Sequence, residues 1–285
     1  MDTIFAHSVS LPESVSATPW DVVAVGAHPD DLEILCGGTL AKLAEQGHRV
    51  AIIDLTDGEP TPRGSRAKRI EEAKAAQKEL GIPLRIFLDL SNRVLMDEPG
   101  NRYALATMFR KLRPQLVIGI AGRTPAGSPD HHQAHLLIEA ARFGSQLTQW
   151  DDRYDATKPW RIPHLAYAPF PFDAEERQWR GWSIVDIASV FERKMRSVAC
   201  YDSQFDNKRL ARIQHALTGQ AIYWGSQSGF SHGERICFPT PIGTSDLMAT
   251  IAGFAQTPAP VDLAGALKQP GELPPEPAAS SLPDL

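Results

Sequence analysis

Two short polar clusters hold the residues best suited to chemistry. His28-Pro29-Asp30-Asp31 offers an imidazole and two carboxylates, and Ser128-Pro129-Asp130-His131-His132 offers two more imidazoles and another carboxylate. A catalytic zinc centre takes three ligands of His, Asp or Glu type and leaves a position open for water. His28, Asp31 and one histidine of the second cluster would make such a set. Asp30 would then stand beside the ligands as a base for a water whose pKa the zinc lowers to about 7. The same residues have a plainer use. An aspartate at a helix start accepts backbone N–H bonds and suits the helix dipole, so either cluster alone also reads as a cap.

Both clusters follow runs that read as fully buried parallel strands, residues 21–26 and 116–120, short and rich in β-branched side chains. In an open parallel sheet, ligands bind beyond the carboxyl ends of strands, where the strand order reverses. Two clusters after two such strands therefore favour the metal reading over two independent caps. Further strands are expected over residues 49–55 and 84–88. Helices are expected over residues 36–46 (stopped by Gly47), 67–80 (stopped by Gly81), 103–112 (closed by Pro114) and 131–143. This alternation predicts an α/β fold, a Rossmann-like and mostly parallel sheet with helices on both faces. The second half is less regular, with strands at 164–170, 183–187 and 234–238 and helices at 190–201 and 210–223. Residues 1–20 read as a loosely held arm, 21–255 as one domain, and 256–285 as a Pro/Ala-rich tail with little to bury, expected to be disordered.

Composition narrows the function. The 285-residue chain carries a net charge of −5 with both signs interspersed, so no basic stripe is available for nucleic acid. Its three cysteines are scattered, with no CxxC pair, which excludes a disulfide scaffold and a cysteine-based zinc site and suits a reduced compartment. No apolar run approaches the roughly 20 residues that span a bilayer. The first residues lack a basic segment followed by an apolar one, so a cytoplasmic location is expected. Gly37-Gly38 lies outside any Gly-x-Gly-x-x-Gly or Gly-Lys-Ser/Thr pattern, which speaks against a nucleotide-dependent transferase.

Four stretches together resemble the LmbE/PIG-L family of zinc-dependent N-deacetylases, whose members act on N-acetylglucosamine-bearing glycosides and glycolipids. They are Ala27-His28-Pro29-Asp30-Asp31-Leu32-Glu33 with Gly37-Gly38-Thr39; Leu55-Thr56-Asp57-Gly58-Glu59 with Arg69 and Glu72-Ala73; Ser128-Pro129-Asp130-His131; and Tyr201-Asp202-Ser203-Gln204 with Gly233-Glu234. The first stretch is the most specific and the fourth is weak alone. The resemblance implies His28, Asp31 and His131 as ligands of zinc or another divalent metal, Asp30 as general base and Arg69 as a substrate-binding residue. It also implies Asp130 as a residue that orients a neighbouring ring, a small N-acetylated sugar conjugate as substrate, and a homo-oligomeric assembly as one option.

One departure stands out. Ser128 occupies the place of the family's first HPDH histidine, which is thought to stabilise the oxyanion or donate a proton. A serine can donate a hydrogen bond without the cationic charge, and a lost oxyanion donor costs about 10²–10³ in rate. His232, where relatives carry a tyrosine, is the expected replacement. The same departure keeps open a weakly active or non-catalytic sugar- or metal-binding protein. The aromatic residues Trp150, Trp160, Tyr167, Phe170 and Phe172 are suited either to a sugar pocket or to plain core.

Overall fold

The structure is a computed structural model and describes residues 2–5, 11, 13–124, 127–170, 181–246 and 248. Eight strands among these residues are β1 (Asp2–Phe5), β2 (Val22–Gly26), β3 (Val50–Asp54), β4 (Leu84–Phe87), β5 (Leu116–Ile120), β6 (His164–Ala168), β7 (Gly181–Asp186) and β8 (Gly233–Phe238). The helices are α1 (Glu13–Ser16), α2 (Asp31–Glu45), α3 (Arg66–Leu80), α4 (Pro99–Leu112), α5 (Asp130–Ser145), α6 (Phe191–Ala199) and α7 (Asn207–Ser226).

The strands form one sheet in the order β1-β4-β3-β2-β5-β6-β8-β7. β1 to β6 pair in parallel, while β8 runs antiparallel to both β6 and β7. Every residue of β2 and β3 is buried, as expected of strands covered on both faces. The chain steps outward from β2 to β3 and β4, then returns to place β5 on the other flank of β2. With right-handed crossovers, that reversal puts α4 and α5 on the face opposite α2 and α3. The contacts agree: α2 packs on α3 and α6, and α4 packs on α5. The order reverses between β2 and β5, the two strands that carry the polar clusters.

The expected elements are present with shifts of a few residues at their ends, the scale on which helix ends fray. Ser65 caps α3, its Oγ accepting from the Lys68 N–H, and Gly81 ends it in the left-handed region at φ 70°. α2 begins five residues before its expected start and is bent at Cys36 (φ −145°, ψ 21°). One expectation changes at the N-terminus. Within the segment read as a loose arm, residues 2–5 extend the sheet beside β4, and Leu11, Val15 and Trp20 are buried. The tail at 256–285 lies outside the described residues.

Candidate metal centre and active site

The β2 and β5 loops meet because their strands are hydrogen-bonded neighbours in register, Val25 opposite Gly119. One ligand atom from each of His28, Asp31 and His131 lies within 4.8 Å of the other two. Asp31 Oδ1 is 3.2 Å from His131 Nε2, and its Oδ2 is 3.4 Å from His28 Nδ1. The His28 backbone N–H also donates to Asp31 Oδ2 at 2.8 Å, which closes the turn on itself. Two imidazoles and a carboxylate, converging at the mouth of a rigid sheet, fit the donor set of a catalytic divalent-metal site.

Each imidazole is held by a group behind it. His28 Nε2 lies 3.3 Å from Asp130 Oδ2, and that carboxylate also accepts the Arg93 backbone N–H at 2.7 Å. His131 Nδ1 lies 2.8 Å from Thr124 Oγ1, and the ring stacks on Phe170 at 4.7 Å between centroids. Such partners fix ring orientation and tautomer, which is how proteins tune metal ligands. The charges are coupled. Burial opposes a charge on His28, yet Asp31 and the Asp130 hydrogen bond prevail and raise its pKa to about 10. Burial would raise Asp31, but His131 and His28 hold it well below the usual carboxylate range.

Asp30 sits at the start of α2 with φ 106°, a left-handed conformation that is costly for a residue with a Cβ. Its side chain makes no capping bond to the helix, which removes the capping reading for this residue. Instead Asp30 Oδ2 lies 3.3 Å from Arg69 Nη2, the same nitrogen that donates to the Pro29 carbonyl at 2.5 Å. Burial pushes the Asp30 carboxyl up to about 6, against the pull of Arg69. Arg69, which reads from local sequence as one more solvated helix arginine, is only 3% exposed. Its Nε and Nη1 have no partner among the described residues.

The remaining expected site residues lie as follows. Ser128 Oγ accepts the Asp130 backbone N–H at 3.2 Å, a turn bond just before α5, whose N-cap is Pro129. His232 stacks on Phe191 at 4.2 Å and lies 3.2 Å from Ser231 Oγ, neither of which belongs to the cluster. His132 Nδ1 is buried without a partner among the described residues, and His135 Nδ1 lies 3.0 Å from the Ile120 carbonyl. Among the described members of the aromatic group, only Phe170 stacks on a cluster residue, His131. Trp160 donates to the Pro114 carbonyl, Tyr167 donates to Glu139, and Trp150 is exposed. Phe172 lies outside the described residues.

Sequence reasoning missed Thr124, for which a loop threonine gives no signal, and it missed a charged network beneath the site. Arg85, in the middle of β4 and fully buried, donates to both oxygens of Asp54 at 2.5 and 2.9 Å and to Glu33 Oε1 at 2.6 Å. The Tyr201 hydroxyl donates to the same Glu33 oxygen at 2.9 Å. A lone arginine inside an otherwise apolar strand was the available clue.

Known proteins resemble this chain in the same region. The family model described as PIG-L, GlcNAc-PI de-N-acetylase, matches residues 23–142. Diacetylchitobiose deacetylase of Thermococcus kodakarensis is 30% identical over 227 residues, covering 76% of this chain and 82% of that protein. The 4-oxalmesaconate hydratase of Pseudomonas putida is 28% identical over 197 residues, covering 64% and 73%. The crystal structure of a conserved protein from Thermus thermophilus superposes with a TM-score of 0.70 at 28% identity, covering 80% of this chain and 98% of that one.

Proposed function

The chain belongs to the PIG-L family of de-N-acetylases, and from that membership we propose that it is a metal-dependent amidohydrolase removing the acetyl group from an N-acetylglucosamine-type glycoside. The carrying observation is the convergence of the His28, Asp31 and His131 ligand atoms within 4.8 Å, with the Asp30 carboxylate held beside them by Arg69. The similarity to a diacetylchitobiose deacetylase supports the substrate class.

His28, Asp31 and His131 would hold a divalent ion such as zinc. When bound, that ion supplies Lewis-acid polarisation of the amide carbonyl and lowers the pKa of a coordinated water to about 7. Asp30 does the proton work. Arg69 occupies its Oδ2 side, which leaves Oδ1 to accept the water proton and pass it to the departing amine nitrogen. Asp130 and Thr124 hold the two imidazoles in their ligating orientation. The unpartnered Arg69 nitrogens are donors for a substrate or acetate oxygen. Ser128, engaged through its acceptor lone pair, keeps its O–H as a weaker oxyanion donor than a histidine. His232 takes no part in this scheme, because its contacts are Phe191 and Ser231.

A second reading, water addition to an unsaturated acid, is favoured by the similarity to a hydratase. Both reactions need an activated water and a base, and they differ in what receives the water. The test is acetate release from N,N′-diacetylchitobiose and a panel of N-acetylglucosaminides, with metal content measured on the same sample. Acetate release by metal-loaded protein, lost in Asp30→Asn, is the expected result. No acetate from any member of the panel would overturn the proposal and leave the hydratase or a binding protein.

A further inference from the structure

The segment Tyr201-Asp202-Ser203-Gln204 closes α6 and touches none of the candidate ligands, yet three successive side chains grip α3. The Tyr201 ring lies under the Arg69 guanidinium, 5.4 Å from its central carbon. Asp202 pairs with Lys68 at 3.0 Å. Ser203 donates twice to the Glu72 carboxylate, from its backbone N–H at 2.8 Å and from its hydroxyl at 2.7 Å. Gln204 then donates to Ser203 Oγ at 2.8 Å and to Thr61 Oγ1 at 3.4 Å. Thr61 in turn donates from its backbone N–H and hydroxyl to Glu59, at 2.6 and 2.8 Å. Three separated stretches, around Glu59, along Arg69–Glu72 and at Tyr201–Gln204, thus make one body.

Arg69 and Glu72 are three apart and stand on one helical face. Holding Glu72 fixes the rotation of α3, and the Tyr201 ring fixes the height of the guanidinium. Arg69 in turn holds the Pro29 carbonyl and the Asp30 carboxylate, across a turn whose left-handed φ a free chain would leave. The Tyr201 hydroxyl reaches the same turn from the other side through Glu33, two residues beyond Asp31. The exposed Asp202–Lys68 pair adds little by itself, since such pairs contribute weakly in water.

From this we infer that Tyr201 and Ser203 are positioning residues, which brace α3 so that Arg69 holds Asp30 in its reactive conformation. The inference rests on the proposed role of Asp30, so its test has one arm that reads activity and one that does not.

In the activity arm, Ser203→Ala and Tyr201→Phe are made in the wild-type background and again with Arg69→Ala. Each removes one hydrogen bond to a buried carboxylate. Ser203→Ala should lower kcat about tenfold, with KM and metal content unchanged. If the brace works through Arg69, the same change in the Arg69→Ala background costs nothing further, because coupled residues are non-additive. Equal losses in both backgrounds, or no loss in either, would overturn the inference. In the second arm, amide hydrogen exchange of the full-length protein should quicken in residues 66–72 of Ser203→Ala and stay unchanged in α5. Unchanged exchange in residues 66–72 would overturn the brace. Ser203→Ala alters a half-buried surface turn, so it keeps the test open should Tyr201→Phe fold poorly. A wild-type protein that releases no acetate would defeat the proposed function instead, and the exchange arm would still decide the brace.

Discussion

Asp30 and Asp31 are neighbours with opposite proposed duties, and their surroundings set them apart. Asp31 points one oxygen at each imidazole, and those rings hold it well below the usual carboxylate range, as the proposed ligand role needs. Asp30, on a left-handed backbone, pairs through Oδ2 with Arg69 at 3.3 Å. Asp30→Asn keeps the shape but removes the proton acceptor. It should lower kcat by about 10²–10⁴ while metal content stays near the wild-type value. A retained kcat would show that another group moves the proton. Thr124 offers a prediction of a different kind. Thr124→Val deletes the oxygen beside His131 Nδ1 without changing a ligand. Metal affinity, measured by competition with a chromogenic chelator, should weaken about 10–100-fold.

At the scale of elements, α2 carries the site at its first turn and is secured further along its length. The bend at Cys36 frees the amides of Gly38 and Thr39, and Glu234 of β8 accepts both, at 3.0 and 2.6 Å, along with the Thr39 hydroxyl at 2.7 Å. Lys194 of α6 neutralises the same carboxylate at 2.5 Å and donates to the Ile34 carbonyl at 2.9 Å. The less regular half of the chain therefore pins the helix that bears Asp30 and Asp31. A side chain at Gly38 would stand 2.9 Å from Glu234 Oε1 and from Ile187, which explains a glycine in mid-helix despite its usual cost there. Glu234→Ala strands Lys194 as a buried, unpaired cation. Denaturant unfolding should show a loss of about 3–5 kcal/mol, and a change below about 1 kcal/mol, the worth of an exposed pair, would mean the pair is solvated.

For the whole molecule, the reversal of strand order between β2 and β5 is the decisive feature, because it brings residues about a hundred positions apart to one point. A metal bound there bridges loops from both sides of the reversal and so links them thermodynamically. Chelation should abolish acetate release and lower the melting temperature, and re-addition of the ion should restore both. The lost stability is about 2.7 kcal/mol for an ion present at a hundred times its Kd. An unchanged melting temperature after complete removal of metal would show that no ion contributes to the folded state. No helix among the described residues is long and apolar enough to cross a membrane.

The sequence by itself determined what is local. Helix and strand periods, the glycine stop after α3 and the two polar clusters are written in neighbouring residues, and the expected elements appear with shifted ends, by five residues at the start of α2. The resemblance added the choice of His131, which local spacing left open between His131 and His132. Only the tertiary structure decided the rest. It put Asp130 behind His28, Thr124 behind His131 and Tyr201 beneath Arg69, and it gave Ser128 to the turn before α5 and His232 to Phe191. It also drew residues 2–5 into the sheet. The physical reason is common to all of these. Side-chain period records which face of an element is buried, whereas strand order and helix packing decide what lies opposite that face. Contacts between residues far apart in the chain leave no trace in any local window.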